Sequence, residues 1–325
     1  MRHFVISAIA LLSVAMAGQQ TTTVKPSIAI TFDDLPVHGP LPPGETRLQI
    51  AQSILATLQA NHMPPVYGFV NARRLTPADP AHASTNTHDI TPANPDYAFL
   101  TAWRAAGEPL GNHTANHPSL DDLTAGAFEQ NILDDEPTLA TLMRGQDWHW
   151  FRFPYLQEGD TQAKRREVRA WLEAHHYRTA EVTMDFEDYL WNAPYARCVA
   201  NHDEKSIEYL RSSYLSTAGQ YLNFYRLRSF QVYGREIPYV LLLHVGAFDA
   251  VMLPDLLKLY RRAGMNFVSL PEAASDPAYA QDPDVGVKGG GTMIDLVAWK
   301  QKIPIPPNSK PERQLAEICR VAPSK

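Results

Sequence analysis

The chain has 325 residues, 45% of them hydrophobic and 20% charged, with a formal net charge of −6 from 29 basic and 35 acidic side chains. That supplies enough apolar material for a full-sized core and argues against a disordered chain. An acidic balance without a long basic run speaks against nucleic acid or an anionic membrane surface as partner, and favours a neutral or cationic substrate.

The first segment, MRHFVISAIALLSVAMAGQQ, places Arg2 and His3 before a short apolar run that ends in Ala15-Met16-Ala17. The run is too short to span a bilayer comfortably, and the small-x-small ending fits a signal peptidase site. Residues 1–17 are therefore expected to be a signal peptide. The mature chain then starts near Gly18, exported to the periplasm or secreted, and not membrane-embedded.

SIAITFDDLP follows, a β-branched apolar run ending in Asp33 and Asp34, and reads as a buried strand. Leu48, Ala51, Ile54, Leu55 and Leu58 recur at helical spacing, and PPVYGFVNA returns to a strand pattern. Residues 74–96, rich in Pro, Thr, Ala and Asn, read as a long surface loop over a site. YAFLTAWRAAG is helical with Gly107 as terminator, and EPLGN is a short strand leading into His113 and His117.

Beyond it, Ser119 opens a near capping box for a helix that Pro137 should kink. HWFRFPY, YRTAEVTM and IPYVLLLHV read as strands, separated by a helix over DTQAKRREVRAWLEAH and a longer helical stretch over residues 192–236. LPDLLKLYRRAGMNFVSL gives a helix ended by Gly264 and one more strand, and the tail past Pro271 reads as irregular and wrapped on the surface. About seven strand–helix alternations with apolar strands predict an α/β protein whose parallel sheet forms a barrel or near-barrel. Cys198 and Cys319 are the two cysteines. They pair in an oxidising compartment, or stay separate as buried thiols; either way two cysteines cannot build a structural zinc site.

The polar residues of interest all fall at strand C-termini, which in a parallel barrel open on one face. Asp33 and Asp34 end the first strand, His113 and His117 follow another, and Arg152 and Tyr155 end a third. Asp185 and Asp188 follow a fourth, and His244 ends the apolar LLLH. One carboxylate and two imidazoles make a three-ligand set with open positions, the pattern of a catalytic metal site. His113 and His117 reach one side through a helical turn or, since Pro118 disfavours α geometry at His117, equally through a tight loop.

These segments resemble the motif set of the NodB-type polysaccharide deacetylases, carbohydrate esterase family 4. TFDD, HTANH and RFPY match its first three motifs in order, DFEDY and LLLH the last two, over roughly residues 27–271. The resemblance implies a distorted (β/α)7-type barrel with a helical insertion before the last catalytic strand. It makes residues 18–271 the catalytic domain and 272–325 a C-terminal extension packed on it.

It also implies roles. Asp34, His113 and His117 would hold a divalent metal, commonly Zn2+, with Co2+ or Ni2+ as alternatives. Asp33 would be the general base toward the attacking water, ion-paired with Arg152. Pro154 and Tyr155 would border the substrate, with the Tyr155 N–H stabilising the oxyanion. His244 would be the general acid, tuned by Asp188 in preference to Asp185. The expected activity is deacetylation, chiefly of N-acetyl groups, on an acetylated poly- or oligosaccharide.

Three departures bear on the substrate: Tyr189 stands where the family has Trp, VGAFDA follows LLLH, and TFDDLPVHG adds His38, read as a loop residue. Two other readings compete. One is an amide hydrolase of the same fold acting on a small non-sugar molecule, for which a closed pocket would speak. The other is a carbohydrate-binding protein without catalysis, for which loss of a base or metal ligand would speak.

Overall fold

The computed structural model describes residues 25–36, 38–75, 94–304 and 311–320. The proposed signal peptide, and residues 76–93 of the expected loop, lie outside the described residues.

At the centre is β1 (Ser27–Leu35), with all nine residues buried. A strand covered on both faces needs a continuous rather than alternating apolar pattern, and SIAITF supplies one. β2 (Tyr67–Val70), β3 (Leu110–Asn112), β4 (Trp150–Phe151), β5 (Arg178–Thr179), β6 (Tyr239–His244) and β7 (Asn266–Phe267) complete a parallel sheet. Its order is β5-β4-β3-β2-β1-β6, with β7 paired to the start of β1. The chain that leaves β5 crosses to the other end of the sheet, where Met184 bridges Leu241 of β6. The two ends of the sheet are thus joined through one short segment. This is the distorted seven-stranded barrel expected from the sequence.

Helices cover the outside. α1 (Arg47–Ala60) starts on a capping box between Thr46 and Gln49, and α2 (Pro95–Ala105) starts on Asn94 with Pro95 in its first turn. The capping box expected at Ser119 does not form. Ser119 precedes only a 3-10 turn, and Thr124 caps α3 (Ala125–Leu133) by accepting from the Ala127 N–H. Pro137 does more than kink that helix: it sits in the first turn of a separate α4 (Glu136–Leu142), where its missing N–H costs nothing. α5 (Gln162–Ala174) lies between β4 and β5.

The insertion before β6 is α6 (Asn192–Ala200) and the 30-residue α7 (Glu204–Tyr233), closed by Gly234 at φ 70°. α8 (Ala247–Arg262) leads to β7 and α9 (Leu270–Ala274). The tail is less irregular than its composition implied, since it contains α10 (Met293–Lys300), packed on α7, and α11 (Glu312–Glu317). Cys198 of α6 and Cys319 after α11 form a disulfide, resolving that alternative and tying the tail to the insertion. No helix among the described residues is long and apolar enough to cross a membrane.

Candidate active site

Parallel pairing brings the polar strand ends together. Asp33 and His244 are direct cross-strand partners on β1 and β6. Asn112 of β3 faces Phe151 of β4, so the residues that follow them, His113 and Arg152, emerge side by side.

Neighbours on a regular strand point to opposite faces, and Asp33 and Asp34 would diverge. The register of β1 against β2 shifts between Phe32 and Leu35, and Asp34 adopts φ 64°. Aspartate tolerates this left-handed conformation better than most side chains. The kink turns both carboxylates into one pocket. His113 and His117 meet through a tight loop and not a helical turn, with positive φ at Thr114 (66°) and His117 (53°).

The Asp34, His113 and His117 ligand atoms lie within 4.8 Å of one another. Asp34 Oδ1 is 3.4 Å from His117 Nε2 and 3.9 Å from His113 Nε2. Tetrahedral zinc bonds of about 2.0–2.1 Å put ligand atoms roughly 3.4 Å apart, so this donor set fits a divalent ion with little movement. His113 Nδ1 donates to the Arg152 carbonyl at 2.8 Å, which leaves Nε2 as the free lone pair. Burial pushes the His113 pKa down to about 4, so the ring is neutral, as a ligand must be.

Beside the three donors sits Asp33, 2% exposed. Arg152 Nη1 lies 3.3 Å from each of its oxygens. The guanidinium is itself held: Nε donates to the Ala180 carbonyl at 2.6 Å, Nη2 donates to Thr31 Oγ1 at 3.1 Å, and the group lies over the Phe69 ring. Burial raises the Asp33 pKa and Arg152 opposes that rise. The outcome is a carboxylate more basic than a surface aspartate yet kept oriented.

Opposite stands His244. Its Nδ1 donates to Asp188 Oδ1 at 2.8 Å and its backbone N–H donates to Asp188 Oδ2 at 2.6 Å. Burial disfavours charge on the ring, but the Asp188 carboxylate overrides it and pushes the pKa up to about 10. Asp188, and not Asp185, is the partner of His244. Asp185 instead accepts from the Glu187 N–H at 2.7 Å and lines the pocket, its pKa pushed up to about 6 by burial. Pro154 is buried in the turn after β4, and Tyr155 in the same turn has φ 57° and sets its ring 4.4 Å from that of His117. The turn thereby sets the Tyr155 side chain against one imidazole of the donor set.

Several residues at the site were given no catalytic or ligand role beforehand. His38, read as a loop residue, has Nε2 3.8 Å from Asp34 Oδ2 and its ring 4.8 Å from His244. Tyr189 packs 5.1 Å from His244, whereas Trp191 is core, donating to Ser213 Oγ. Asp249 lies behind Asp188, accepting from Asn192 Nδ2 at 2.7 Å and from the Tyr214 hydroxyl at 3.0 Å. Burial, with Asp188 adding to it, raises the Asp249 pKa well above the usual carboxylate value. Asn192 crosses so close to Gly246 that a β-carbon there would come within 2.1 Å of it, so the VGAFDA departure builds this support. The available signal was an aspartate on an otherwise apolar helix face, one turn past LLLH.

The polysaccharide deacetylase family model matches residues 20–178. Those residues belong to the polysaccharide deacetylase family. The matched segment is just under half of the chain; it contains Asp33, Asp34, His113, His117, Arg152, Pro154 and Tyr155 and ends before Asp188 and His244. No curated protein sequence matches the chain.

Among solved structures, the chitin deacetylase of the fungal pathogen Colletotrichum lindemuthianum is 21% identical with a TM-score of 0.50, over 78% of this chain and 89% of that one. A mutant of a Bacillus anthracis CE4-family pseudoenzyme with restored enzymatic activity is 15% identical with a TM-score of 0.50, over 77% of this chain and 67% of that one. At these identities the likeness is one of fold, and it includes a pseudoenzyme. Catalysis therefore rests on the side chains of this chain itself.

Proposed function

We propose that this protein is an exported, metal-dependent deacetylase that hydrolyses an N-acetyl group on an acetylated glycan or glycan fragment. The observation that carries the reading is the convergence of three chemically distinct pairs or triads on one pocket. Asp34, His113 and His117 form a donor set, Asp33 is held by Arg152, and His244 is held by Asp188. A pseudoenzyme would lack one of these, and here each partner is present.

A divalent ion in that donor set, zinc by the imidazole–carboxylate chemistry and cobalt or nickel by the same donors, polarises an acyl oxygen and makes water acidic near neutrality. Asp33 takes the proton of the attacking water, and Arg152 keeps that carboxylate ionised and aimed. The Tyr155 N–H is assigned to the oxygen on which negative charge develops. His244, protonated at neutral pH, hands its proton to the departing nitrogen, without which an amine leaves poorly. Export is supported by the leader sequence and by the Cys198–Cys319 disulfide, which suits an oxidising compartment. Mass spectrometry of the mature protein should find Gly18 at its N-terminus.

The test of activity is acetate release from chitooligosaccharides, peptidoglycan fragments and acetylxylan, with and without chelator. Release from the N-acetylated substrates that stops with chelator and returns with Zn2+ is expected; chelator-insensitive release would remove the metal from the reading. The pH dependence adds a second check. His244 loses its acid proton as pH rises through about 10, so the alkaline limb of kcat should lie there. Asp188→Asn removes the carboxylate that lifts this pKa and leaves the burial that lowers it, so the limb should move to lower pH. An unmoved limb would assign the acid to another group.

A further inference from the structure

The cavity over the site has a volume of about 440 Å³, at the small end of ligand sites, which run from about 300 to 1,000 Å³. The insertion helix α7 forms one wall through Tyr221, Phe224 and Tyr225, and the segment from Gly289 to Asp295 approaches beside it. Neither element belongs to the strand ends that carry the reacting groups, and the disulfide ties the insertion to the C-terminal tail.

One side chain in that wall points to a ligand. Tyr221 is 3% exposed and lines the cavity, yet its hydroxyl has no hydrogen-bond partner among the described residues. A buried donor left unmade carries a desolvation cost, and such groups are normally satisfied. Burial, with the Glu187 and Asp185 carboxylates nearby, raises its pKa, so it stays a neutral phenol able to donate.

On the reading that this site removes acetyl groups, we propose that the pocket takes a short N-acetylated substrate, of one or two sugar-sized units, and that the Tyr221 hydroxyl receives the polar group at its far end. A small cavity walled on one side by α7 favours a short substrate over the interior of a long polymer. Two sources share this chemistry. A free aminosugar or its dimer offers a hydroxyl that accepts from the Tyr221 O–H, and a small acetylated diamine offers an ammonium that donates to the Tyr221 oxygen and that the neighbouring Asp185 and Glu187 attract.

The experiment uses the zinc-loaded full chain and its Tyr221→Phe variant. Substrates are N-acetylglucosamine, its dimer and pentamer, polymeric chitin and a mono-acetylated diamine. The wild type should show kcat/KM at least about tenfold higher on the monomer, dimer or diamine than on the pentamer and polymer. Tyr221→Phe should raise KM for the preferred short substrate about five- to tenfold, the worth of one hydrogen bond, with kcat within about twofold and an unchanged or raised Tm. A purely structural tyrosine would move Tm and leave KM alone.

A rise of kcat/KM with chain length through the pentamer, or an unchanged KM in the variant, overturns the inference. If no substrate is hydrolysed, the deacetylase reading fails by itself, and calorimetric titration of the same compounds decides this one. Binding of a short amide that Tyr221→Phe weakens sustains it, and no binding or preferential polymer binding ends it.

Discussion

Asp33→Asn should lower kcat for acetyl hydrolysis by about two to four orders of magnitude, the usual contribution of a positioned general base, while the protein still binds its metal. The two halves of that expectation come from different parts of the geometry. Asp33 lies outside the Asp34–His113–His117 set, and Arg152 already engages both of its oxygens, so its charge is not needed to hold an ion. It is the carboxylate that Arg152 grips from a buried position.

Asparagine is the right replacement because it keeps the volume and leaves an amide oxygen for Arg152 Nη1. Alanine would strand a buried guanidinium at a cost of about 3–5 kcal/mol, and lost activity would then report unfolding. Elemental analysis and kcat measured on one preparation make the check. Near-normal turnover would take the base role away from Asp33, and loss of metal would show that it belongs to the donor set.

What could be read beforehand divides along a physical line. The barrel was legible because central parallel strands must be apolar throughout, and SIAITF and YVLLLH are unbroken runs. That the polar residues gather on one face was legible because strand ends in a parallel sheet face one way; the pairings of Asp188 with His244 and of Arg152 with Asp33 came from the motif resemblance. Helix boundaries were less so. Ser119 and Thr124 offer the same capping chemistry five residues apart, and only packing selects between them.

The cavity wall was legible only as the helical stretch 192–236, not residue by residue. Tyr221, Phe224 and Tyr225 sit at helical spacing on an amphipathic segment, a pattern that ordinarily means core. Which face of a 30-residue helix looks into a pocket depends on how α7 docks. His38 was read as a loop residue for a related reason. A histidine four residues past an aspartate in a loop carries no periodic signal, and its approach to Asp34 depends on how the loop folds back, with its N–H donating to the Val245 carbonyl.

His113→Ala should abolish stoichiometric metal binding and, with it, acetyl release. Two donors and water hold a divalent ion far more weakly than three, and losing even a group that merely orients a ligand costs about 10- to 100-fold in affinity. Removing the ligand itself should exceed about 100-fold, so metal measured after dialysis falls to background. His113 is also the donor whose state is most firmly set, since its Nδ1 is committed to the Arg152 carbonyl and burial keeps the ring neutral. His117, 18% exposed at its side chain, has more freedom to move and would give a softer result.

One side chain is placed to compensate. His38 approaches Asp34 from its other oxygen, at 3.8 Å, and a shift of its loop would offer a replacement imidazole. The double variant His38→Ala/His113→Ala closes that route. Metal retained by the single variant and lost by the double would show His38 substituting within the same site. Stoichiometric metal in both would place the ion elsewhere and remove the basis for every role assigned around it. Because burial makes His113→Ala a cavity-forming change as well, its far-ultraviolet circular dichroism and Tm must show a folded protein before the metal content is read.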